Sequence, residues 1–393
     1  MNHDYNQEAL ELHKKFGGKL ETISMFKLDT REALSKAYTP GVAAVCVAIG
    51  EGSNTSAKEK LAREYTLKRN TVAIVSDGSA ILGLGNLGAY AAAPVMEGKA
   101  AILKEFAGVD AFPICIESQD VEAIIKVVKN ISPIFGGINL EDIAAPKCFE
   151  IEERLRAELN IPVMHDDQWG AATASLTAFI NSLKLVNKNK EDVKVVLSGV
   201  GAAGVATARL LVAYGVKNII LVDSKGIVNN TRKNNDELNK EKVEILEASN
   251  IQDLEGSLQE AVQNADVFIG LSKPDVLTAE MVRSMSSKPI IFALANPTPE
   301  IRPELAIEAG AYIVATGRSD YNNQINNSLV FPGFWRGVLD AQYAGTYQKI
   351  EIGTFVGIAK SLADHVIDLS PEKILPDMFD KRCVEIVADA VRN

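Results

Sequence analysis

Apolar runs alternate with amphipathic stretches along almost the whole chain. The runs TVAIVS (71–76), DAFPICIE (110–117), PIFGGIN (133–139) and IPVMH (161–165) have the length and β-branched content of buried strands. Around them, SAKEKLAREYTLKR (56–69), PVMEGKAAILKEFAG (94–108), QDVEAIIKVVKN (119–130) and PKCFEIEERLRAEL (146–159) repeat apolar positions at helical spacing. Pro94 and Pro146 are placed at first helical turns, where a missing N–H breaks no ladder. Strands separated by helices predict parallel pairing with helical crossovers.

After the helical stretch GAATASLTAFINSLKLV (170–186), the charged connector NKNKED (187–192) interrupts the pattern and a second alternation begins. KVVLSGVGAAG (194–204) reads as strand, glycine turn and helix start, and NIILVD (218–223), DVFIGLS (266–272), PIIFALANP (289–297) and YIVATG (312–317) as further strands. The segment 226–250 is polar and rich in Asn and Lys, which predicts an exposed excursion, and 354–392 predicts helices. The expected fold is α/β in two domains. Residues 1–162 form an N-terminal α/β domain, and 163–393 form a doubly wound, Rossmann-like domain with a C-terminal helical tail.

Composition narrows the function. The net charge is -10 and basic residues cluster only as pairs such as Lys68-Arg69, which excludes ordinary nucleic-acid binding. No apolar run reaches the roughly 18 residues of a membrane span, and the polar N-terminus lacks a signal-peptide core. Cys46, Cys115, Cys148 and Cys383 contain no CxxC pair, so a reducing cytoplasm is expected. With only four histidines, a metal site must rest on carboxylates, which suits Mg²⁺ or Mn²⁺.

The strongest local motif is Gly199-Val200-Gly201-Ala202-Ala203-Gly204, set between a strand and a helix. Gly199 permits the tight turn, Gly201 lets backbone approach a pyrophosphate, and Gly204 lets helix pack on strand. The Ala202 and Ala203 amides open the helix, whose N-terminus favours anions. Asp223 ends the next strand about 20 residues on, where a ribose-binding carboxylate belongs. That acid tilts the cofactor toward NAD, while Lys225 offers a partner for the 2′-phosphate of NADP.

Two acidic pairs, Glu141-Asp142 and Asp166-Asp167, follow strands, at the sheet edge where open α/β folds place ligands. Together they could hold a hard cation; singly they read as helix caps and loop charges. Lys99, among apolar neighbours, is either a snorkelling helix lysine or a desolvated base with a lowered pKa. On spacing alone, Tyr38 packs beside a Pro-Gly turn, and His165 and Trp169 are core residues.

With these motifs in order, the chain resembles the malic enzyme family, in its short bacterial branch. The resemblance rests on SKAYTPGVA (35–43), DGSAILGLGNLGAYAAAPVMEGKAAILKEFAGVDAFP (77–113), GGINLEDIAAPKCFEIEERLR (136–156), HDDQWG (165–170), GVGAAG (199–204), ALANPTPEI (293–301) and ATGRSDYNNQINNSLVFPGFWRGVLDA (315–341). It implies oxidative decarboxylation of (S)-malate to pyruvate and CO₂ with NAD or NADP, dependent on Mg²⁺ or Mn²⁺. Lys99 would be the general base for the malate hydroxyl, and Tyr38 the general acid that protonates the enolate, close to Lys99. Glu141, Asp142 and Asp167 would ligate the cation, with Asp166 beside them. Asn296 and Asn327 would hold substrate or the nicotinamide side. A homodimer is implied, with Tyr38 reaching the partner's site. The chain departs from the family pattern at Ala80, where the long branch has an arginine for which Arg318, in the ATGRSD motif, is a candidate substitute, at Trp169, and at Asn322. Malolactic, oxaloacetate-decarboxylating and non-catalytic sensor readings share the same residues; the complete set of Tyr38, Lys99 and three metal carboxylates argues against a sensor.

Overall fold

The computed structural model describes residues 5–250 and 252–392. Among the described residues, ten strands form two sheets. In the first, β1 (Thr71–Ser76), β2 (Asp110–Cys115), β3 (Gly137–Leu140) and β4 (Val163–His165) lie in the order β2-β1-β3-β4. All its pairings are parallel. Every residue of β1 is buried, as its apolar centre Val72–Val75 requires of a strand covered on both faces. The chain leaves β1 toward β2 and returns to the other side at β3, so strand order reverses between β1 and β3. That crevice is where an open α/β sheet receives a ligand.

The second sheet holds β5 (Lys194–Ser198), β6 (Asn218–Asp223), β7 (Gly226–Ile227), β8 (Val267–Gly270), β9 (Ile290–Ala293) and β10 (Ile313–Thr316) in the order β10-β9-β8-β5-β6-β7. It is the expected doubly wound arrangement, except that β7 is two residues long and runs antiparallel to β6. Its reversal falls between β5 and β8, directly at the Gly199 turn.

Four sequence expectations are corrected. Pro94 lies inside the helix Ala89–Ala107, because that helix begins five residues earlier behind Gly88. The helix read from 170 begins at Asp166, so Asp166 and Asp167 occupy its first turn. β4 completes the first sheet, so that sheet extends past residue 162, where the boundary was drawn. The segment 226–250 is no exposed excursion: it contains the helices Asn230–Asn234 and Lys240–Ala248 and buries Arg232, Ile245, Leu246 and Asn250.

The C-terminal helices cross back onto the first unit. A Cβ at Gly137 would meet the Trp335 ring at 2.1 Å, so only glycine lets the helix Phe331–Ala344 lie against β3. The Trp335 indole N–H donates to Asn139 Oδ1 at 2.9 Å. The stretch Arg31–Gly50 has mean hydropathy 1.3. It is two helices, Arg31–Ala37 and Val42–Gly50, not one of membrane length.

Candidate active site

The carboxyl ends of β3 and β4 bring the two acidic pairs together. Glu141 and Asp142 follow β3, and Asp142 takes a left-handed backbone with φ 54°. Asp tolerates that region better than most residues, and its cost is often retained at working sites. The strained turn aims the Asp142 amide at Asp167, which accepts its N–H at 2.8 Å. One ligand oxygen from each of Glu141, Asp142 and Asp167 lies within 4.8 Å of the others.

Lys99 rises from the helix Ala89–Ala107 into this cluster. Its ammonium lies 2.7 Å from Glu141 Oε1, pairs directly with Asp166, and sits 4.3 Å from the centre of the Phe331 ring. The Asn327 amide donates to the same Asp166 oxygen at 2.8 Å. Gly170 makes room for this: a Cβ there would stand 1.9 Å from Asp166 Oδ1. Asn139, which the sequence did not single out, donates to Glu141 Oε2 at 3.1 Å while its own carbonyl is held by Trp335. The quoted motifs GGINLED and VFPGFW contained both residues; only their meeting across the fold was hidden.

Four buried or half-buried carboxylates face one ammonium. Burial pushes Glu141 well above the usual carboxylate range, more than Lys99 draws it down. Burial, then the Asp167 charge, pushes Asp142 up to about 7, and burial pushes Asp166 up to about 6 against the pull of Lys99. Lys99 corrects the sequence reading. Burial alone would lower its pKa, but the charges of Asp166, Glu141 and Asp167 outweigh burial and raise it.

A divalent cation fits this site. The donors are all oxygen, the uncompensated charge is negative, and buried Asp142 Oδ2 and Asp166 Oδ1 have no protein partner. Buried lone pairs left unpaired are costly, so oxygens of this kind suit an ion. The linkage has a definite sign. Carboxyls raised in the folded state stabilise it below their unfolded pKa of about 4, and that contribution is lost as pH rises through the raised values. Metal-free protein should therefore melt at lower temperature at pH 8 than at pH 5.5, and Mn²⁺ should reverse the loss at pH 8. Circular-dichroism melts at both pH values test this; no Mn²⁺ effect at pH 8 would contradict the fit.

The glycine turn is built as its motif requires. Gly199 has φ 103°, and a Cβ there would meet Leu271 O at 2.3 Å. A Cβ on Gly204 would meet Gly199 O at 1.9 Å, whereas Gly201 has open space beside it. Gly201 precedes the helix Ala202–Tyr214, whose N-terminus carries no side-chain cap, leaving the Ala202 and Ala203 end available to a phosphate. Asp223 is gripped by Arg232 through two 3.0 Å bonds, by Lys242 at 2.6 Å and by the Lys225 N–H at 2.9 Å. Burial would raise its pKa; these donors outweigh it and hold it at about 2. The Lys225 ammonium instead lies 3.4 Å from Glu237. Arg232 and Lys242 were missed because they sit in the segment read as an excursion.

Asn296 follows β9 and faces the first unit: a Cβ on Gly83 would come within 1.7 Å of Asn296 O. That contact brings the carboxyl edges of the two sheets together. Arg318 is not free to grip a substrate, since Asp320 takes its guanidinium at 2.8 and 2.6 Å. Ala80 uses its backbone N–H, donating to Asp142 O at 3.0 Å, and Asn322 is exposed. Tyr38 is 69% exposed, and among the described residues no hydrogen bond or ion pair joins it to Lys99. The expected neighbourhood of Tyr38 and Lys99 is therefore absent within one chain.

The family model for the malic enzyme N-terminal domain matches residues 17–156, and that for the malic enzyme NAD binding domain matches 169–392. A protein named NAD-dependent malic enzyme from Geobacillus stearothermophilus is 51% identical over 95% of this chain and 76% of its own length. One named bifunctional malic/malolactic enzyme from Bacillus subtilis is 49% identical over 98% of this chain and 92% of its own. The crystal structure of an NAD-dependent malic enzyme from Thermotoga maritima superposes with a TM-score of 0.92 at 48% identity, covering 98% of this chain and 99% of that one. The chain belongs to the malic enzyme family.

Proposed function

We propose that this protein oxidatively decarboxylates (S)-malate to pyruvate and CO₂, reducing NAD⁺, with NADP⁺ as the lesser alternative. The observation that carries this reading is the convergence of Glu141, Asp142, Asp166 and Asp167 on Lys99, beside the edge where a glycine turn waits for a pyrophosphate. Asp223 holds the position of a ribose-binding acid, which favours NAD, while Arg232 and Lys242, which neutralise it, are the cations that would meet a 2′-phosphate.

Mg²⁺ or Mn²⁺ held by Glu141, Asp142 and Asp167 would supply Lewis-acid polarisation of the substrate oxygens. A dinucleotide held at Gly199–Gly204 would supply the hydride acceptor. Lys99 takes the proton of the malate C2 hydroxyl as the C2 hydrogen departs with its electron pair. Asp166, steadied by Asn327, keeps the Lys99 amine oriented. A positive charge on the carboxylates would draw off the field that raises the Lys99 pKa, which readies the amine as a base. The C3–C4 bond then breaks, CO₂ leaves, and Tyr38 delivers a proton to C3. The proton taken at C2 balances the one returned at C3, so malate and NAD⁺ become pyruvate, CO₂ and NADH without net proton release.

Tyr38 must come from a second copy in this scheme. The N-terminal segment exposes Ile23, Met25, Phe26 and Tyr38 together, each at least 69% exposed, a surface that a partner subunit would cover. A homodimer in a reducing cytoplasm, where four free thiols persist, completes the reading. Tyr38→Phe should slow exchange of the pyruvate methyl protons with D₂O about 10²–10⁴-fold, followed by NMR. Unchanged exchange would remove Tyr38 from proton delivery. The function itself is tested with malate, NAD⁺ and Mn²⁺. NADH rising at 340 nm with equal pyruvate supports it, whereas lactate without free NADH supports the malolactic alternative.

A further inference from the structure

Behind the carboxylate cluster lies a buried acid that the chemistry above does not use. Glu152, on the helix Lys147–Glu158, is 5% exposed. Its Oε1 accepts from the His165 backbone N–H at 3.1 Å and from the Trp169 indole N–H at 2.9 Å. Its Oε2 accepts from the Gln168 side-chain amide at 2.9 Å. These three donors bracket Asp166 and Asp167 in the chain. The carboxylate thus sits at the N-terminal end of the helix Asp166–Val186, where unsatisfied N–H groups and the helix dipole favour an anion.

The brace is closed on one side and open on the other. Trp169 stacks on Phe355 with ring centres 4.9 Å apart, and Phe355 stacks on Phe334 at 5.6 Å, so the indole donor is fixed by packing. Phe149, Glu152, Gln168 and Trp169 also line an open cleft of about 420 Å³. Glu152 therefore faces that cleft and, through its three donors, also holds the turn carrying Asp166 and Asp167.

We propose that Glu152 is a positioning residue, holding the first turn of this helix so that Asp167 presents its oxygens to the cation and Asp166 meets Lys99. Trp169 supplies one of its three donors. The proposal rests on the metal reading given above. It places the origin of metal affinity partly outside the ligands, in the second rank of hydrogen bonds, where loss of a partner commonly costs about 10–100-fold in affinity.

The test measures Mn²⁺ binding directly, by the electron paramagnetic resonance signal of free Mn²⁺, alongside NADH binding by fluorescence and thermal melting. Wild type is compared with Glu152→Ala, Glu152→Gln and Trp169→Phe. Glu152→Ala should weaken Mn²⁺ about 10–100-fold. Trp169→Phe, which keeps the stacked ring and removes one donor, should weaken it about fivefold. Glu152→Gln, which keeps the shape, should fall between them. NADH affinity should be unchanged in all three, because the glycine turn is not braced by Glu152. Unaltered Mn²⁺ affinity in folded variants would overturn the proposal. Parallel loss of Mn²⁺ and NADH affinity would mark general unfolding and would also overturn it. Failure of wild type to bind Mn²⁺ would overturn the metal reading first, and this proposal with it.

Discussion

Lys99→Ala is expected to slow malate oxidation about 10²–10⁴-fold while leaving NADH binding intact. The ammonium is buried, touches Glu141 and Asp166, and lies over the Phe331 ring, so few other groups can reach the same point. Removal deletes the proposed proton acceptor and also one positive charge from a cluster rich in negative charge. Mn²⁺ affinity should therefore be kept or strengthened, which separates a lost base from a lost metal site. Lys99→Arg should not rescue the rate, because a guanidinium does not give up its proton at workable pH. Near-normal kcat for Lys99→Ala would remove Lys99 from the role of base. Loss of Mn²⁺ binding in the same variant would show that its role is structural.

Asp142→Asn should weaken Mn²⁺ by more than the roughly 100-fold at which second-rank partners stop, since it removes a proposed ligand itself. Asparagine is the informative replacement. It tolerates the left-handed backbone at φ 54° and can still accept the Leu82 N–H, which lies 3.3 Å from Oδ1 in the parent, but it carries no charge. Loss of function then reports the missing carboxylate rather than a collapsed turn. Malate turnover should demand correspondingly more Mn²⁺, with NADH affinity unchanged. Identical Mn²⁺ activation curves for the two proteins would contradict ligation by Asp142.

The parts of the molecule that were legible in the sequence are those whose causes are local. TVAIVS and NIILVD became β1 and β6 to the residue, because a strand covered on both faces needs an apolar centre, VAIV and IILV here. The Gly199 turn was equally plain: a tight turn and close backbone approach leave little choice of residue. The carboxylates of the proposed metal site were visible as acids at strand ends, but as candidates among ordinary caps. What the sequence hid depends on contacts between distant residues. The pKa of Lys99 is raised, not lowered, because the fold delivers Asp166 from another helix. The clamp on Asp223 was hidden because Arg232 and Lys242 look like solvent-facing charges until the segment folds back. Pro94 misled for a different reason: the Ala-rich residues before it carry weak periodicity, so the proline looked like the helix start.

The account is tested most directly with malate carrying ¹³C at C4. In the presence of NAD⁺ and Mn²⁺, labelled CO₂, pyruvate and NADH should appear in equal amounts, and EDTA should stop all three together. NADH formed from malate at an undiminished rate in EDTA, or without release of the label, would contradict a chemistry built on a cation held by Glu141, Asp142 and Asp167 opposite Lys99.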